Sequence, residues 1–149
     1  MTVAVPPRSL PGVPAALAAL RAAGTPVVLT TGFDRQVTGL LLAALPAEFT
    51  GELDGVVCAG DVGAGRPDPA MIHRAMALTG VDDPARVLTA GDTVLDVEAG
   101  RNARAGHVIG VLTGAQTREE LAAAGPTSIV DGVVDLPGLL AVPDSARRL

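Results

Sequence analysis

The chain has 149 residues, a formal net charge of −5, and 48% hydrophobic residues with no Trp, no Tyr and only two Phe. That length suits a single domain spanning residues 1–149, with a core built from Ala, Val, Leu and Ile. The acidic balance argues against a nucleic-acid surface; the lack of a long apolar run argues against a membrane span; and a lone Cys58 excludes an internal disulfide and suits a reducing cytoplasm.

In chain order, short apolar strands alternate with helical patterns. Val13, Leu17 and Leu20 share one helical face, and Gly24 is a natural stop. "PVVLT" (26–30) reads as a buried strand. Asp34 can cap a helix carrying Val37, Leu40, Leu41, Ala44 and Leu45 and ending at Pro46. "GVVCA" (55–59) is a second strand, with Cys58 as core. Pro69 opens a helix that turns Ile72, Ala75 and Met76 inward. "RVLTA" (86–90) is the third strand, followed by a helix to about Ala105, and "HVIGV" (107–111) is the fourth. Thr117 and Glu120 form a capping box, "TSIV" (127–130) is a short last strand, and "LPGLL" (136–140) a final turn or helix. This alternation predicts an α/β fold: a Rossmann-like parallel sheet with helices on both faces. Ligands then bind beyond the carboxyl ends of the strands.

Three polar segments follow directly on strands and are expected on that rim. In "LTTGFD" (29–34), Thr30 ends a strand and Thr31-Gly32 lead into a helix. Hydroxyls and backbone N–H groups there suit an anionic oxygen, although an ordinary strand-to-helix turn looks the same. "GDVGAGRPDP" (60–69) nearly matches a P-loop. It fails where Arg66 replaces the Lys and Pro67 supplies neither hydroxyl nor N–H. Arg66, held between Gly65 and Pro67, could clamp a phosphate or a carboxylate pair; a solvated Arg is the plainer reading of that segment alone. "AGDTVLDVEAG" (90–100) places Asp92 at a strand end and Asp96 in the first turn of a helix. The helix dipole accounts for Asp96 and Glu98 but less well for Asp92. Hard oxygen ligands at a sheet rim suit Mg²⁺.

Together the segments resemble motifs II, III and IV of the haloacid dehalogenase superfamily. "LTTGFDR", "DVGAGRPDPAMI" and "GVLTGAQTREEL…DLPGLL" look most similar to its phosphonatase-like hydrolases. The resemblance implies a phosphoryl-binding hydroxyl at Thr30, with Thr31 and Gly32 beside it, and a motif III cation at Arg66. It also implies a Mg²⁺ ligand at Asp92 with Asp96 in support, and a small phosphorylated or phosphonate substrate. Relatives hydrolyse their substrates through an aspartyl-phosphate formed on a motif I Asp. Neither "ELDGVV" (Asp54) nor "SIVDGVVD" (Asp131) fits that motif, and the cap usually inserted after it is missing as well.

The sequence therefore reads as a core lacking its first strand and its nucleophile, truncated and inactive alone. In the family that strand lies between those corresponding to "PVVLT" and "RVLTA". These two must either close up or leave an open gap, whose unpaired groups would each cost ~1–3 kcal/mol if buried. A non-catalytic binding or assembly module of the same fold is the alternative, and a homodimer is left open. A receiver-like phospho-acceptor is disfavoured because the chain has no Lys; all 11 basic residues are Arg.

Overall fold

The computed structural model describes residues 11–141. The Pro-rich opening and the last eight residues lie outside this range. Eight helices and five strands alternate within it: α1 (Val13–Ala22), β1 (Val28–Thr31), α2 (Arg35–Ala43), α3 (Ala47–Thr50), β2 (Gly55–Cys58), α4 (Ala59–Val62), α5 (Ala70–Thr79), β3 (Leu88–Gly91), α6 (Val94–Asn102), β4 (His107–Val111), α7 (Arg118–Ala123), β5 (Ser128–Val130) and α8 (Leu136–Ala141).

Every strand pairing is parallel, as the alternation predicts. Alternate residues of the strands face opposite helical layers. Val27, Ile109 and Val111 join Val13, Leu17 and Leu20 of α1 and Leu136 of α8 in one apolar cluster. On the other side Val28 and Val57 meet Met71 and Ala75 of α5. Val108 there meets Val97 of α6 and Leu121 of α7. Leu17 is fully buried and Leu20 is 5% exposed, so each contributes roughly 2 kcal/mol of apolar burial. Cys58 is fully buried, as its apolar strand implies.

The sheet is divided. β1 pairs with β2, and β3, β4 and β5 form a separate ladder in that order; among the described residues no strand pairing joins β1 to β3. Of the two outcomes expected at this junction, the strands did not close up. A cavity of about 120 Å³ lies there, lined by Val27 and Val28 on one side and Val87 and Leu88 on the other. Ile72 of α5 and Leu136 of α8 cover it. The core cluster beneath α1 and α8 bridges the two ladders through Val27 and Ala90.

Several boundaries differ from the sequence expectation. β1 begins at Val28 instead of Pro26 and runs through Thr31. Pro26 has no N–H to give a ladder, and the Val27 N–H donates to the Asp54 carboxylate at 2.7 Å. β3 starts at Leu88 because Pro84–Arg86 form a 3₁₀ turn capped by Asp83. The helix after β3 ends at Asn102, short of Ala105. Ala59 belongs to the short α4, whose first turn is held by the Asp61 carboxylate accepting from the Cys58 N–H at 2.9 Å. α2 buries Thr38, near the Cys58 thiol, and leaves Val37 and Leu40 exposed. A helix at residues 47–50 was not expected; it seats the buried Phe49.

Candidate functional site

Strands run parallel within each ladder, and contacts across the junction bring the segments following β1, β2, β3 and β4 to one rim: Arg66 after β2 meets Gly32 after β1 and Asp96 after β3, and Gly114 after β4 meets Asp92. Thr30 and Thr31 are the last residues of β1. Thr30 is 1% exposed, so its hydroxyl lies within the fold, and the Thr31 hydroxyl accepts from the Phe33 N–H at 3.1 Å. Gly32 follows. A Cβ there would stand 2.9 Å from Nη2 of Arg66, so the bare glycine backbone lets the guanidinium lie against the end of β1.

Arg66 comes from the loop between α4 and α5, next to a cis Arg66–Pro67 peptide. Its Nη1 donates to Oδ1 of Asp96 at 2.6 Å. The Asp96 side chain is 2% exposed and that of Arg66 26%. Asn102, at the far end of α6, donates to the Pro67 carbonyl oxygen at 2.8 Å. α6 therefore grips the Arg66 loop at two points. The plain reading of Arg66 as a solvated side chain is replaced by a partly buried, charge-assisted contact.

Asp96 is the third residue of α6 and closes a capping box with Thr93. The Thr93 hydroxyl accepts from the Asp96 N–H, and the Thr93 N–H donates to Oδ2 of Asp96, both at 3.2 Å. Both Asp96 oxygens thus already accept a hydrogen bond. A Cβ on Gly91 would collide with the Asp96 side chain, which shows how closely the end of β3 approaches it.

Asp92 is in a different position. It is 8% exposed. Burial, and then repulsion from Asp96, raise its carboxyl above the ordinary value, while Arg66 pulls it the other way. The close ion pair of Arg66 goes to Asp96 and not to Asp92. A desolvated carboxylate with a like-charged neighbour is suited to a bound cation. No group of three or more His, Cys, Asp or Glu side chains gathers among the described residues, so the protein's share of such a site is small.

Sequence reasoning missed Thr93 as a cap, and it missed Gln116. Oε1 of Gln116 accepts from the Val94 N–H at 2.5 Å, tying the loop after β4 to the start of α6. The Thr93–Asp96 spacing could have shown the cap; nothing local marks Gln116.

The remaining acidic candidates lie elsewhere. Asp54 precedes β2, at the opposite rim, where it holds the Val27 N–H and pairs with Arg21. Asp131 is exposed after β5, at the far edge of the three-stranded ladder.

A parallel α/β core with this clustered rim is the architecture of the haloacid dehalogenase type. Residues 2–104 match the model of the haloacid dehalogenase-like hydrolase family, and the chain belongs to that family. Within it the chain is phosphonatase-like. It is 28% identical over 154 residues to a phosphonoacetaldehyde hydrolase of Parabacteroides distasonis, covering 88% of this chain and 58% of that protein. It is 35% identical over 123 residues to a phosphonoacetaldehyde hydrolase-like protein of Syntrophobacter fumaroxidans, covering 80% of this chain and 44% of the relative. The chain thus spans about half the length of these relatives. A solved haloacid dehalogenase family hydrolase of Deinococcus radiodurans superposes with a TM-score of 0.78 at 26% identity, over 89% of this chain and 58% of that one; it holds phosphate and sodium.

Proposed function

We propose that this chain is the phosphoryl-handling core of a Mg²⁺-dependent phosphohydrolase or phosphonate hydrolase acting on a small molecule in the cytoplasm. The observation that carries this reading is the arrangement of Arg66, Asp96 and Asp92. Asp96 holds a guanidinium against Gly32, and a buried carboxylate beside it lacks a close cation of its own. Phosphate bound in the Deinococcus radiodurans relative supports it.

In this reading Arg66 binds and orients the anionic oxygens of the substrate, with the backbone of Thr31 and Gly32 completing the cradle and the buried Thr30 backing that turn from within the fold. Asp92 holds Mg²⁺ directly, and Asp96 braces both Arg66 and the start of α6. Mg²⁺ suits a donor set this small, because it keeps several waters and uses one or two carboxylates. When bound, it supplies positive charge for the phosphoryl oxygens. Neither Asp54 nor Asp131 sits where it could attack a group held by Arg66, so in this reading the described residues supply the clamp and neither of these two candidates supplies the nucleophile.

Two measurements test this. Calorimetric titration with inorganic phosphate in Mg²⁺ should show binding that Arg66→Ala and Asp92→Asn each weaken by about tenfold or more, the loss of a charge-assisted contact being worth ~1.5–3 kcal/mol. The chain alone should leave para-nitrophenyl phosphate unhydrolysed. Binding that ignores both substitutions refutes the clamp. Mg²⁺-dependent turnover abolished by Asp92→Asn refutes the missing nucleophile.

A further inference from the structure

The loop after β4 carries a feature that this function does not use. Gly114 lies with its backbone against the Asp92 side chain. A Cβ built there would stand 2.7 Å from Cγ and 2.8 Å from Cβ of Asp92, and closer still to Oδ2. Atoms at that separation overlap, and the crowding reaches the root of the Asp92 side chain as well as its mobile tip. The φ angle of Gly114 is not in the left-handed region, so φ itself does not demand glycine there. What excludes it is Asp92. Two residues on, Gln116 is anchored twice. Its Oε1 accepts from the Val94 N–H at 2.5 Å, and its Nε2 donates to Glu120 at 3.2 Å, a residue in the first turn of α7. Glu120 is itself engaged in the Thr117 capping box.

We infer that Gly114 and Gln116 are positioning residues for Asp92: Gln116 ties the loop across the start of α6, and Gly114 sets the loop backbone against the carboxylate, limiting it to one orientation on the rim. The functional consequence rests on the proposed reading of Asp92 as a cation ligand. A ligand with an orientation already set loses less freedom on binding, and groups that orient a ligand are typically worth about 10–100-fold in metal affinity.

The experiment compares the full chain with Gly114→Ala, Gln116→Met, and a control, Gly39→Ala, where a Cβ in α2 meets nothing within 4 Å. Two quantities are read: the Asp92 χ1 rotamer from three-bond NMR couplings without metal, and the Mn²⁺ dissociation constant by electron paramagnetic resonance. Gly114→Ala is expected to move χ1 to a different rotamer population and to weaken Mn²⁺ binding about tenfold or more. Gln116→Met should move both in the same direction by less, and Gly39→Ala should move neither. A Gly114→Ala chain with wild-type χ1 and Mn²⁺ affinity overturns the inference. If Gly114→Ala does not fold, Gln116→Met decides on the same two readouts. If the wild-type chain binds no Mn²⁺, the cation reading fails, and χ1 alone decides whether the loop seats Asp92.

Discussion

Asp92 and Asp96 lie four residues apart, yet the fold gives them opposite surroundings. Asp96 receives a guanidinium and a backbone N–H; Asp92 receives burial and the repulsion of Asp96. The spacing alone could not divide these roles, because the partner that separates them, Arg66, lies 30 residues before Asp96 in the chain. A raised carboxyl favours the folded chain when protonated. The stabilisation is fully present below the ordinary value of 3.8 and is lost as pH rises through the elevated folded value, leaving a cost at neutral pH. Asp92→Asn should therefore be more stable than wild type in a denaturant titration at pH 7 in EDTA, by about 1 kcal/mol, the usual size of a single stabilising substitution. The advantage should shrink as pH falls toward 3.8. A wild-type chain that is equally stable at pH 7 would show that Asp92 carries no such cost.

At the scale of elements, α6 does most to assemble the site. Its cap holds Asp96, Asp96 holds Arg66, and Asn102 at its other end holds the Pro67 carbonyl. Thr93→Ala should cost about 1 kcal/mol in a denaturant titration, the usual worth of an N-cap. Its effect should be non-additive with Arg66→Ala, since both position Asp96, the Thr93 hydroxyl through the Asp96 N–H and Arg66 through its carboxylate, whereas Thr117→Ala, capping the separate α7, should add to Arg66→Ala within about 0.5 kcal/mol. Full additivity of the first pair would show that cap and ion pair are independent. Elements bounded by local chemistry were legible in the sequence. "HVIGV" coincides with β4, and the Thr117 capping box opens α7. Those set by distant contacts were not. β1 loses its expected first residues because Asp54, from another part of the chain, takes the Val27 N–H. α2 follows its periodicity as a helix but buries the polar Thr38 toward Cys58, leaving Leu40 69% exposed, because which face turns inward is decided by the neighbouring strand.

For the molecule as a whole, the division between β1 and β3 follows from resemblance and not from local pattern. No residue in "PVVLT" or "RVLTA" says that these strands are not neighbours; the family's strand order does, and the structure keeps them unpaired. The two ladders are joined by helices and by the shared cluster under α1 and α8, with a cavity between Val28 and Leu88. A two-stranded unit is marginal by itself, so the β1–β2 half depends on that helical cover. β4, in contrast, is paired on both sides, with β3 and β5, and is packed by Val97 and Leu121. Opening should therefore begin at the junction, where a missing ladder removes cooperativity between the halves. In native-state hydrogen exchange, amides of Ile109 and Val111 in β4 should report the global unfolding free energy. Those of Val56 and Val57 in β2 should exchange through a smaller opening, lower by about 1–3 kcal/mol, comparable to one or two lost backbone pairings. Filling the cavity should narrow that difference from the β2 side. Ala75→Val places added methyl groups toward the space that Ala75, Ile72 and Val28 line, and slower exchange at Val57 with little change at Ile109 is the expected result. Equal protection in β2 and β4 of the wild-type chain would mean that the helices couple the ladders as tightly as a continuous sheet.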